Sequence, residues 1–129
     1  MVKRTVSMAV LVIFLLSLGL SASARWEDPA QCTATLAFSR NTATCSASIV
    51  ASDRSATVTA SMALYRVNSN GSLSNCATWP SKTGTGSIFL NGSYGRCVSG
   101  NTYRLIISGT VKDSTGTHSF NTYRQATCP

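Results

Sequence analysis

The sequence predicts an all-β fold: an antiparallel immunoglobulin-like β-sandwich of about seven strands, preceded by a cleaved signal peptide. Three observations carry this expectation. From Thr33 onward, apolar residues recur at every second position with no long stripe at helical spacing, the pattern of half-buried strands. Polar turns rich in Asn, Gly, Ser and Asp separate the alternating runs, as strand-to-strand connections require. The chain has 129 residues, and the ~105 left beyond the leader suit one domain of this class. A small β-barrel is the alternative way to close the same strands.

The leader comes first. Lys3 and Arg4 make a basic start, Met8 to Leu20 is apolar apart from Ser17 and Gly19, and Ala22-Ser23-Ala24 offers small residues for cleavage. That is a secretory signal whose apolar core is too short for a comfortable membrane span. Residues 1–24 are read as signal peptide, 25–31 as a flexible N-terminal segment and 32–129 as the sandwich. The expected product is secreted and extracellular, with no membrane span after cleavage.

The first strand is Thr33–Ser39, with Ala34, Leu36 and Phe38 on one face, and Arg40-Asn41 turns the chain. Thr42–Ala51 follows, with Ala43, Cys45, Ala47 and Ile49 inward. The third strand, Ala56–Val67, alternates Val58, Ala60, Met62 and Leu64 with small polar residues. Asn70-Gly71 marks a tight turn, because both residues tolerate positive φ. Leu73 to Thr85 reads as one short edge strand plus loop, since Pro80 fits poorly in a central strand. Ser87–Tyr94 is a strand interrupted or bulged at Asn91-Gly92. Thr102–Val111 has the clearest alternation, through Tyr103, Leu105, Ile107, Gly109 and Val111, and His118–Thr127 completes the hairpin.

The tetrapeptide Asn-Thr-Tyr-Arg occurs at 101–104 and again at 121–124. If Thr115-Gly116 closes the last hairpin, Val111 lies opposite Phe120, which turns Tyr103 inward and Tyr123 outward. The copies then do opposite jobs, and the repeat reflects β-favouring composition rather than a duplicated site. Tyr103 opens a core strand after Gly100-Asn101, where sandwiches place a tyrosine that bonds to backbone upstream. Position 105 is leucine, so the usual B–F disulfide is ruled out.

Five cysteines fall beyond the leader, at 32, 45, 76, 97 and 128, and an exported chain is expected to oxidise them. The strand order puts Cys45, Cys97 and Cys128 at one pole, with Cys76 in the adjoining edge segment. Cys76–Cys97 is the favoured bridge and would contribute about 3 kcal/mol through closure of a loop of about 22 residues. Cys45–Cys128 is the second. Cys32, at the opposite pole, is left unpaired and available for a disulfide-linked homodimer.

Without Lys3 and Arg4, nine Lys/Arg face four acids, a net charge of +5. The charges are spread singly, whereas nucleic-acid readers cluster them, so no nucleic-acid partner is expected. His118, the single histidine, sits beside a turn near Asp113, and no serine lies in a strand-to-helix elbow. Glu27, Asp28, Asp53 and Asp113 offer no obvious carboxylate pair for glycoside hydrolysis. The wide cysteine spacing and lone histidine suggest no metal site, and no glycine-rich loop suggests a phosphate cofactor. No catalytic residue and no cofactor are expected.

What remains is surface. Tyr65, Trp79, Tyr94 and Tyr123 are the candidate ligand-binding residues, since flat rings beside Asn, Ser and Thr suit a sugar or a protein contact. Asn70-Gly71-Ser72 and Asn91-Gly92-Ser93 match the N-glycosylation pattern, but in a bacterial export route they are simply turn sequences. The stretch "NTATCSASIVASDRSATVTASMALYR", the NGS turns, "SGNTYRLIISGTVKDSTG" and the terminal "TYRQATC" resemble small secreted single-domain proteins of Gram-positive gut bacteria. The likeness spans roughly residues 33–128 and departs at "NCATWP" and in its extra cysteines. It implies an immunoglobulin-like fold and a family of unknown function, with no catalytic residues to carry over. The expected role is a non-enzymatic binding module for a cell-surface, cell-wall or host glycan or protein. The alternative is a small effector, an antimicrobial protein or a protein inhibitor. An antimicrobial acting on membranes would carry an amphipathic basic segment, and the sequence has none.

Overall fold

The computed structural model describes residues 30–129; the segment read as a signal peptide, Trp26, Glu27 and Asp28 lie outside the described residues. Seven strands follow in order: β1 (Ala30–Ser39), β2 (Thr42–Ala51), β3 (Thr57–Val67), β4 (Leu73–Thr85), β5 (Ser87–Tyr94), β6 (Thr102–Asp113) and β7 (Gly116–Thr127). They form two antiparallel sheets, ordered β1-β2-β5 and β4-β3-β6-β7. This is the sandwich the alternation predicts, and its open sheets are not the alternative barrel. In the constant-type immunoglobulin order the fourth strand joins the first, second and fifth. Here β4 has changed sheets and pairs with β3.

The core follows from the period-two pattern. Ala43, Cys45, Ala47 and Ile49 on β2 meet Val58, Ala60, Met62 and Leu64 on β3, and Leu105, Ile107 and Val111 on β6 complete the layer. No polar or charged residue is buried among the described residues. At Gly109 a side chain would collide with the Thr59 carbonyl and with Ala60, so β6 can lie against β3 there only as glycine. Strands β1, β2 and β5 contain no charged residue at all. The charge of the described domain sits on the other sheet and in turns.

Tyr103 takes the corner position. Its side chain is 2% exposed, its ring lies 5.8 Å from that of Phe38, and its hydroxyl accepts a hydrogen bond from the Val98 backbone N–H at 2.8 Å. Tyr123 is 56% exposed on the outer face. The two Asn-Thr-Tyr-Arg copies do opposite jobs.

Four local expectations change. The β6–β7 loop is Ser114-Thr115, not Thr115-Gly116, because Asp113 Oδ1 accepts from Thr115 N at 2.8 Å and from its Oγ1 at 2.6 Å. That Asx turn closes the hairpin one residue early. Val111 therefore faces His118 and Gly109 faces Phe120. A turn shifted by one moves each partner by two, so the inside–outside parity survives. Secondly, β4 is a 13-residue strand rather than a short strand plus loop. Register shifts between Ala60 and Met62 and between Leu64 and Tyr65 accommodate Pro80-Ser81 and Cys76 as bulges, where proline costs no ladder bond. Thirdly, β5 runs unbroken through Asn91-Gly92. Finally, β1 begins at Ala30, paired with Ala51, inside the segment expected to be flexible.

Candidate functional site

Strands β4 and β5 are the edges of their respective sheets and lie on the same flank of the sandwich, joined through Gly86. That glycine has φ +80°, and its N–H donates to the Ala56 carbonyl while its own carbonyl accepts from Ala51 N–H. Between the two strands opens a cavity of about 390 Å³, lined by Met62, Trp79, Pro80, Ser81, Lys82, Phe89, Leu90 and Asn91. Its size falls within the ~300–1,000 Å³ typical of small-ligand sites.

Each wall has a local cause. Trp79 is opposite Met62 in register, so its indole leans towards the inter-sheet space and lies on Gly92 of β5. A side chain at position 92 would collide with the indole nitrogen and its neighbours. The glycine is there for this contact, not for a bulge. Pro80 and Ser81, the bulged pair between Trp79 and Lys82, line the same cavity. On the other side, Ile88 and Leu90 point inward while Phe89 is 53% exposed. Lys82 Nζ donates to the Phe89 carbonyl at 3.0 Å, linking the rims.

The four aromatic candidates do not form one platform. Only Trp79 lines the cavity. Tyr65 and Tyr123 lie on the outer face of the four-stranded sheet beside Arg104, which pairs with Tyr65 in register. The Arg104 guanidinium sits 4.5 Å over the Tyr123 ring, and its Nε donates to Gln125 Oε1 at 2.8 Å. Arg104 is thus engaged within the sheet. Tyr94 is half-buried at the thiol pole, where desolvation first, then nearby Cys76, raises its pKa. Phe89 was missed by the sequence reading, yet its signal was present: it is the outward member of an Ile-Phe-Leu run.

All five cysteines are thiols in this structure, and four gather at one pole as the strand order requires. Cys97 N–H donates to Asn41 O at 2.9 Å, and Cys128 N–H to Asn101 O at 2.9 Å. Cys45 sits opposite Gly92 on the neighbouring strand. Burial raises the Cys97 thiol, with Cys128 and Cys76 nearby adding to it. Burial, then Cys97, pushes Cys45 up to about 12. Cys32 is half-buried against the core, and desolvation holds it at about 11, so at neutral pH it is a protonated, weakly nucleophilic thiol.

His118 and Asp113 do meet across the hairpin. Asp113 Oδ1 lies 3.2 Å from His118 Nε2, and Thr115 Oγ1 lies 2.8 Å from the same nitrogen. A hydroxyl–imidazole–carboxylate relay uses both ring nitrogens; here both partners converge on one. The cluster is a turn lock in which the Thr115 hydrogen bonds first, then His118, lower the Asp113 pKa. Asp53 makes the equivalent lock with Ser55. No group of three or more His, Cys, Asp or Glu that could hold a metal ion occurs among the described residues. No protein-family model, curated protein or solved structure matches the chain.

Proposed function

We propose that this chain is a secreted, non-enzymatic module that binds a cell-surface or cell-wall polysaccharide in the groove between β4 and β5. The observation that carries the reading is the cavity itself, with the Trp79 indole, packed on Gly92, and the exposed Phe89 ring both in its lining. Rings held this way offer flat apolar faces at low entropic cost. Asn91, Ser81 and Lys82 supply hydrogen-bond groups at the edges, as ring hydroxyls demand. Export would oxidise the polar thiol cluster, with Cys76–Cys97 and Cys45–Cys128 as the proposed bridges. The likeness of residues 33–128 to small secreted bacterial domains fits the same picture.

The test is retention on insoluble cell-wall polysaccharide. The chain should be retained, Trp79→Ala and Phe89→Ala should each weaken retention at least tenfold, and Tyr123→Ala should leave it unchanged. Equal retention of all four proteins would overturn the assignment of the groove.

A further inference from the structure

We propose that β1 is a docking edge for a second copy of this chain, pairing β1 against β1 to join two three-stranded sheets into one of six. The two sheets leave four edges, β1, β5, β4 and β7. An edge strand exposes unpaired N–H and C=O groups, and proteins guard such edges with charge, proline, bulges or inward-facing charged residues. Three of the four are guarded here. β4 carries Pro80, Lys82 and two register shifts. β5 has the Lys82 ammonium on its Phe89 carbonyl. β7 places Arg124 opposite Leu105, on the row that faces the core.

β1 has none of these. It runs ten residues without proline or charge, and its register with β2 is unbroken from Ala30 to Ser39. Among the described residues, its backbone pairs with β2 alone. Its outward row is Gln31, Thr33, Thr35, Ala37 and Ser39. Its core-facing row is incompletely covered: Leu36 is buried, whereas Ala30, Cys32, Ala34 and Phe38 are only partly so. A strand laid alongside would pair the free backbone groups and cover that row.

The occupant follows from charge and symmetry. Two β1 strands related by a twofold axis run antiparallel and present the same surface to each other, and no like charges meet because neither copy has any on this sheet. The size sets the strength. Ten residues at ~3.3 Å each, across a sheet ~10 Å deep, bury about 330 Å² per copy. Over both copies this comes to ~660 Å², below the ~1,200 Å² of a standard stable interface. The dimer is therefore weak and reversible. The pairing is independent of the groove on the opposite flank.

Sedimentation equilibrium of the purified protein, in reductant, from about 10 µM to about 1 mM tests it. The expected result is a reversible monomer–dimer equilibrium, weakened at least tenfold in Thr33→Lys/Thr35→Lys and unchanged in the sheet-face control Thr110→Lys. Lysines on these outward positions leave the core intact, and far-ultraviolet circular dichroism checks the fold. Hydrogen exchange across the same concentrations should show protection rising in β1 alone. A monomer at every concentration, a dimer indifferent to the two lysines, or protection rising elsewhere would overturn the proposal. Failure of polysaccharide binding would leave this result untouched, and the converse holds.

Discussion

Gly92 and Trp79 make the most exacting test of the packing. A methyl group added at position 92 meets the indole nitrogen and two ring carbons, well inside contact distance. Overpacking of this kind costs about 1–3 kcal/mol, so Gly92→Ala should lower stability by about 2 kcal/mol. Trp79→Ala removes a half-buried indole; a fully buried one costs ~3–5 kcal/mol to truncate, and roughly half of that, about 2 kcal/mol, applies here. Independent effects would sum to about 4 kcal/mol. They are not independent, because the three atoms nearest a methyl group at 92 all belong to the Trp79 indole. The double variant should lose only about 2 kcal/mol, a coupling of roughly 2 kcal/mol. Urea unfolding followed by circular dichroism reads this as a midpoint shift of ~1 M at a slope near ~2 kcal/mol/M. Additive losses would refute the indole-on-glycine contact and the shape of the groove built on it.

Tyr103→Phe removes the acceptor of the Val98 N–H and should cost about 1 kcal/mol, lowering Tm by ~4–8 °C for a domain of this size; an unchanged Tm would contradict the corner role. Mass mapping of protein recovered from an oxidising host should find Cys76–Cys97 and Cys45–Cys128, and a Cys45–Cys97 bridge would refute that scheme. In the reduced protein the Cys45 thiol is pushed up to about 12, against ~8.5 when unfolded. The folded state holds that proton more tightly, so the contribution is complete below pH ~8.5 and is lost as pH rises towards about 12, at up to roughly 1.4 kcal/mol per pH unit. Urea melts between pH 7.5 and 9.5 should show that decline, shallower in Cys45→Ala; equal slopes would contradict it.

Residues with a strict period-two pattern were legible in the sequence, because strand geometry leaves them no choice of face. The inward rows of β2, β3 and β6 came out residue for residue, and the corner tyrosine with them. Parity is robust: the β6–β7 turn moved by one residue and Tyr103 and Tyr123 kept their faces. What parity cannot see is a bulge. β4 breaks register at Cys76 and at Pro80-Ser81, and each break resets which side chains point inward. The residues of the second break, Pro80 and Ser81, line the groove. Gly92 was misread for a related reason: glycine in a strand signals either a kink or a close neighbour, and the neighbour, Trp79, is thirteen residues away on another sheet.

The most direct measurement is the emission of Trp79 itself, read in a Trp26→Phe background so that one indole remains. Titrating soluble cell-wall polysaccharide into that protein should shift the emission saturably to the blue as the groove fills, and Phe89→Ala should abolish the shift at the same concentrations. Binding of the polysaccharide with Trp79 emission unmoved would place the contact elsewhere on the domain and contradict the account.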